Sequence, residues 1–125
     1  MSVPAAVRIA IIDDDDLQRR ALSRLVRRAG FHALTFRCAE DFLLDPERAS
    51  FTCLLLDIQL GGISGIALHL RLLAEGDGTP VIYITGRDDP RARMEALSAG
   101  CAGFLQKTDP SSTLIDLLHR VTSVT

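Results

Sequence analysis

Apolar residues along this chain follow two periods, and the period changes at regular intervals. Five short runs predict strands: residues 7–12, 32–36, 53–57, 81–85 and 103–107. The third, "CLLLD", is apolar until its last position, which suits a central parallel strand covered on both faces. The second, "HALTF", is weaker and more polar, as an edge strand would be.

Between these runs the spacing becomes helical. Leu17, Ala21, Leu22, Leu25, Val26 and Ala29 recur at helical intervals, and Gly30 stands where such a helix stops. Residues 39–44 make a short helix closed by the Asp45–Pro46 step. Ser64 is placed to cap a third helix with Ile66, Ala67, Leu70, Leu73 and Ala74 on one face. Asp89–Pro90 and Asp109–Pro110 each read as a capping residue followed by proline at the first helical position. The first of these two helices runs to residue 100; the second turns Leu114, Leu117, Leu118 and Val121 inward.

A regular (βα)5 alternation builds a parallel sheet with helices on both faces, because each crossover is right-handed. The expected fold class is α/β: a flavodoxin-like, doubly wound parallel sheet with strand order 2-1-3-4-5. The length of 125 residues suits one domain, 1–125, with a real core. Strands joined this way present their C-terminal ends at one rim, and ligands bind there, where the strand order reverses.

Chemistry is therefore expected at the strand ends. The first run ends in Asp13 and Asp14, the third in Asp57, the fourth in Thr85 and the fifth in Lys107. The second, ending near Arg37, offers no carboxylate. Strands one and three are neighbours in the expected order, so three carboxylates share one pocket with a hydroxyl and an ammonium group. Like charges 4 Å apart repel by about 4 kcal/mol at the effective dielectric near a surface. A hard divalent cation, Mg²⁺, explains the gathering and also holds phosphoryl oxygens. Asp57 ends the most buried strand and is the candidate nucleophile, since carboxylates accept phosphoryl groups as acyl phosphates. Phosphoryl transfer asks mainly for positioning and charge neutralisation, which Lys107 and Thr85 can supply.

Blander readings stand beside these. Four aspartates in a row, 13–16, also fit the acidic start of a helix, and Asp15 and Asp16 keep that reading. Thr85 alone fits a sheet-end hydroxyl bonded to backbone. Arg19, Arg20, Arg24, Arg27 and Arg28 make the first helix basic on its outer side, either a solvated face or a docking surface for an acidic partner helix. His32, His69 and His119 are isolated from one another and read as surface or partly packed residues.

Composition narrows the classes further. A formal net charge of −2 gives no global reason to expect nucleic acid. No run approaches the 18 or so apolar residues of a membrane span. "MSVPAAV" lacks the basic and apolar regions of a secretory signal. Three cysteines without C-x-x-C spacing suit small buried hydrophobes in a reducing compartment, so a cytoplasmic location is expected.

Four stretches now combine: "IIDDDD" followed by Arg19, "LLLDIQLGGISG", "VIYITG" and "SAGCAGFLQK". In this order and spacing the chain resembles the receiver (response regulator) domain of two-component signalling along essentially its whole length. The resemblance implies Asp57 as phosphoacceptor and Asp13 and Asp14 as the acidic pair that holds Mg²⁺, with the backbone carbonyl of Gln59 completing the protein ligands. It implies Thr85 as switch hydroxyl, Lys107 as the family's lysine and Phe104 as switch aromatic. The implied phosphodonor is a histidine kinase or a phosphotransfer protein. The same resemblance leaves room for a phosphorylation-dependent homodimer and a linked output domain outside this chain.

Two departures stand out. The family usually carries methionine and proline where this chain has Leu60 and Gly61, so a less rigid loop is expected. The family's lysine is often followed by a cis-proline; here Thr108 follows, and a trans bond is expected. These two positions keep open a degenerate receiver that binds partners regardless of phosphorylation. A small Mg²⁺-dependent phosphohydrolase is the remaining class. It usually needs an acid/base carboxylate two residues after the nucleophile, where this chain has Gln59.

Overall fold

A computed structural model describes residues 7–87 and 89–123. Five parallel strands lie in the order β2-β1-β3-β4-β5, as the alternation of patterns predicted. The strands are β1 (Arg8–Ile12), β2 (His32–Phe36), β3 (Cys53–Leu56), β4 (Val81–Thr85) and β5 (Gly103–Gln106). Helices α1 (Asp16–Arg28), α2 (Ala39–Leu44), α3 (Gly65–Ala74), α4 (Pro90–Ser98) and α5 (Ser111–Thr122) alternate with them. A short 3-10 turn, Arg48–Ser50, leads into β3.

Alternation along each strand divides the core into two layers. Ala10, Ile12, Leu54, Leu56, Val81 and Tyr83 face one way, with Phe42 and Leu72. Ile9, Ile11, Leu55, Ile82 and Ile84 face the other, with Val26 and Leu118. β3 is buried throughout, whereas all four residues of β5 are half-exposed at the sheet edge. β2 closes the opposite edge and is the more exposed partner of β1.

Capping explains most helix starts. The Asp15 carboxylate accepts from the backbone N–H groups of Leu17 and Gln18 and opens α1. Ser64 accepts from Ala67 N and opens α3; Asp89 accepts from Arg91 N and Ala92 N, with Pro90 first in α4. Asp109 departs from the expected role. Its carboxylate accepts from Gln106 N at 2.8 Å, bracing the turn after β5, and α5 starts after Pro110 without a side-chain cap. The Lys107–Thr108 bond is trans, and no cis peptide occurs among the described residues.

α1 keeps most of its predicted face: Leu22 and Val26 are buried and Leu25 and Ala29 pack on the same core layer, while Leu17, its first apolar position, is 77% exposed. α3 presents a different face from the one its spacing predicted. In α3, Ile66, Leu68, His69 and Leu72 are buried, while Leu70 and Leu73 lie exposed. The buried face of α3 is turned by roughly a third of a turn from the expected one, at 100° per residue. His69 lies on this buried face with Ile66, Leu68 and Leu72, its ring bonded to Tyr83. His69 is thus neither a surface nor a partly packed residue. No helix among the described residues is long and apolar enough to cross a membrane.

Candidate functional site

Each strand of the central three delivers a polar residue to the same rim. β1 hands on to Asp13 and Asp14, β3 to Asp57, and β4 ends in Thr85. β1 and β3 pair in register, Ile12 opposite Leu56, so the residues after them emerge side by side. Asp57 N donates to the Ile12 carbonyl at 3.0 Å and extends that pairing to the site itself. Carboxylate oxygens of Asp13, Asp14 and Asp57 all lie within 4.8 Å of one another. Asp13 and Asp57 are buried; Asp14 is exposed.

Lys107 reaches into this cluster from the end of β5. Its Nζ lies 3.2 Å from Asp57 Oδ2 and 3.4 Å from Asp13 Oδ2. Its backbone N–H donates to the Thr85 carbonyl at 2.8 Å, which fixes where the side chain starts. Burial raises the pKa of Asp13, as does the charge of Asp57, while a hydrogen bond from Asp15 N and the Lys107 ammonium oppose it. Burial works against the Lys107 charge, but the Asp57 and Asp13 carboxylates outweigh it and hold that pKa above its ordinary value.

The remaining contacts orient these groups. Asp13 Oδ1 accepts from Asp15 N at 2.9 Å, and Arg19 Nη1 donates to the Asp13 carbonyl at 2.8 Å. Asp57 Oδ1 accepts from Gln59 N at 3.1 Å. An open cleft of about 430 Å³ lies over the cluster, lined by Asp14, Asp57, Gln59, Gly86, Arg87 and Lys107.

Thr85 stands at the rim but is turned to its own chain. Its hydroxyl donates to the Arg87 carbonyl and accepts from Arg87 N, both at 3.2 Å. Phe104 lies off the cluster, half-buried in β5, its ring 6.3 Å from that of Tyr83 and 5.5 Å from the Arg93 guanidinium. Gln59 lines the cleft and is exposed.

Two contributors, Gly65 and Arg87, escaped the sequence reading, and Arg19 was named there without its role at the site. Gly65 opens α3 so close to the phosphoacceptor candidate that a Cβ there would overlap the Asp57 carbonyl oxygen. A glycine at the start of a helical pattern, directly after a capping serine, was the available signal. Arg19 anchors the Asp13 backbone from one turn into α1, besides pairing with Asp16. Arg87 places a second cation at the cleft, and nothing in its spacing marked it.

The donor set fits a hard divalent cation. Three carboxylates converge, two of them buried and Asp13 with its pKa raised by that burial, and a single ammonium offsets them only in part. Oxygen donors without sulfur or imidazole favour Mg²⁺ over softer metals.

Comparison with known proteins bears on the family and the fold. A protein-family model described as the response regulator receiver domain matches residues 9–119. The response regulator protein TodT of Pseudomonas putida is 37% identical over 107 residues, covering 86% of this chain and 47% of that protein. The transcriptional regulatory protein FixJ of Bradyrhizobium diazoefficiens is 35% identical over 99 residues, covering 79% of this chain and 48% of that protein. The solved structure of the response regulator StyR superposes with a TM-score of 0.85 at 36% identity, covering 94% of this chain and 60% of that one. The chain spans about half the length of the curated relatives it matches.

Proposed function

This chain belongs to the response regulator receiver domain family, and from that premise we propose that Asp57 is its phosphoacceptor, charged by a histidine kinase or phosphotransfer protein. Asp13, Asp14 and Asp57, with the Gln59 carbonyl, would hold Mg²⁺, which neutralises charge on the phosphoryl oxygens when bound. The observation that carries the reading is the convergence of Asp13, Asp14 and Asp57 with Lys107 at one rim.

The chain's own groups suggest how transfer proceeds. Asp57 is held from two sides, Oδ1 by Gln59 N and Oδ2 by Lys107, so little freedom remains to be lost on reaction. One of its oxygens attacks the phosphorus, and the bond to the donor nitrogen breaks. Lys107 then pairs with a phosphoryl oxygen instead of the bare carboxylate. Thr85 must leave the Arg87 carbonyl to donate to another oxygen, which vacates space beside β5. Phe104 turns into that space and alters the surface formed by α4 and β5, a two-state element biased by local charge. A cleft of about 230 Å³ between α1 and α5, lined by Leu22, Leu105 and Leu114 beside Lys107, has room for a few apolar side chains of a docked donor. The exposed Leu17 adds apolar surface at the same helix.

Tight, Mg²⁺-dependent binding of beryllofluoride, a phosphoryl mimic, tests the site. Wild type is expected to bind it and Asp57→Asn is not. Absence of binding in wild type would favour a degenerate receiver that acts through constitutive contacts.

A further inference from the structure

Behind the switch elements, one polar pair lies inside the core and takes no part in the transfer. His69 of α3 is 3% exposed, and its Nδ1 lies 2.9 Å from the hydroxyl of the fully buried Tyr83 in β4. Burial lowers the pKa of His69 and raises that of Tyr83, so both groups are neutral and share one hydrogen bond. Such a bond gives little net stability over an apolar pair of the same shape, whereas losing one partner leaves the other unsatisfied. What the pair supplies is a fixed position for the Tyr83 ring.

That ring borders the moving parts. Tyr83 is opposite Phe104 in the β4–β5 register, with centroids 6.3 Å apart. Strand alternation puts it on the same sheet face as Thr85, two residues on. Phe104 therefore lies between a buried ring held by His69 and the exposed Arg93 guanidinium. α3 adds a link to the site: its first residue, Gly65, packs on the Asp57 carbonyl, and His69 follows one turn later on the same buried face.

We propose that His69 is a positioning residue for the switch: through Tyr83 it fixes the inner wall against which Phe104 turns, and so sets how fully the state of Asp57 reaches the α4–β5 surface. The proposal rests on the phosphoacceptor reading above. His69→Leu removes the bond. His69→Asn keeps a polar atom where Nδ1 stands, and Tyr83→Phe removes only the hydroxyl.

The chain has no tryptophan and one tyrosine, so tyrosine emission reports on Tyr83 alone. Mg²⁺ with beryllofluoride is the probe, followed by that emission and by NMR of the Phe104 ring. Wild-type emission is expected to change on binding. His69→Leu and Tyr83→Phe are expected still to bind the probe, with affinity changed by no more than the same factor, and to shift the inward-to-outward ratio of Phe104 by about two- to tenfold, the worth of one net hydrogen bond. His69→Asn is expected to restore the wild-type ratio. Because Tyr83→Phe keeps the ring and its packing, it serves even where His69→Leu folds poorly. An identical Phe104 ratio in wild type and Tyr83→Phe, with the probe bound, overturns the proposal alone. A wild type that takes no probe at Asp57 overturns the proposal and the phosphoacceptor reading together.

Discussion

β3 and β5 are four-residue strands of one sheet, and they are built for opposite purposes. Every residue of Cys53–Leu56 is buried, with hydrogen-bonded strands on both sides. Every residue of Gly103–Gln106 is half-exposed, at the sheet edge with a partner on one side only. On the proposed function Asp57, which would be held still, follows the first, and Phe104, which would move, sits within the second. Local opening is cheapest where few buried contacts hold a segment, so under that proposal the sheet gives rigidity to the phosphoacceptor candidate and freedom to the proposed readout.

Truncating the same residue type in each strand breaks the comparison most directly. Leu55 and Leu105 both pack on the α1/α5 side of the sheet, but Leu55 is buried and Leu105 is half-exposed. Leu55→Ala is expected to cost about 2–5 kcal/mol of stability in urea unfolding, and Leu105→Ala about half that or less. Equal losses would mean the edge is as firmly held as the centre.

Two glycines that follow Asp57, one in the loop and one at the start of α3, sharpen it further. Gly65→Ala forces a methyl into the Asp57 carbonyl and is expected to cost about 1–3 kcal/mol, with weakened Mg²⁺ binding. A Cβ on Gly61 meets nothing within 4 Å, so Gly61→Ala should stay within about 0.5 kcal/mol of wild type. Calorimetric melting of the two variants with and without Mg²⁺ separates them.

Lys107 joins the two regions, being carried by the edge strand and bonded to the central carboxylate. Lys107→Met removes a charge-assisted bond and is expected to weaken beryllofluoride binding about 10- to 100-fold. Mg²⁺ binding without the anion should survive, because a competing positive charge has gone. Titration calorimetry distinguishes the two affinities.

The smallest effect concerns pH. Burial holds the folded pKa of His69 below its ordinary 6.5, so the unfolded chain binds a proton that the folded one refuses. Stability from this group is complete above pH 6.5 and declines as pH falls below it, with a slope of at most about 1.4 kcal/mol per pH unit. Urea unfolding of His69→Asn should lack this contribution between about pH 7 and pH 5.5, because an amide does not titrate there. A pH slope identical to that of wild type would place the titrating group elsewhere.

Much of this was legible in the pattern of apolar positions. The parallel strands, the crossovers and, in the flavodoxin-like order expected, the rim occupied by Asp13, Asp14, Asp57 and Lys107 follow from alternation and from which residues end each run. What the pattern hid was rotational phase and close approach. α3 is apolar on most sides, so spacing alone leaves its inward face open, and the Tyr83 that partners its buried His69 is fourteen residues away. Gly65 matters because a carbonyl passes where its side chain would be, which no spacing records. Asp109 looked like a helix cap because it precedes proline, yet it bonds backward to Gln106. The Thr85 hydroxyl, bonded to Arg87, follows the blander of its two readings in this state of the molecule.

The central claim is that a rigidly held Asp57 accepts a phosphoryl group from a donor when Mg²⁺ fills the rim. Intact-protein mass spectrometry after incubation with a small acyl-phosphate donor addresses it without knowledge of the cognate kinase. The account predicts one added phosphoryl group in wild type with Mg²⁺, none after chelation, and none in Asp57→Asn. Equal labelling of Asp57→Asn, or labelling indifferent to Mg²⁺, would contradict it.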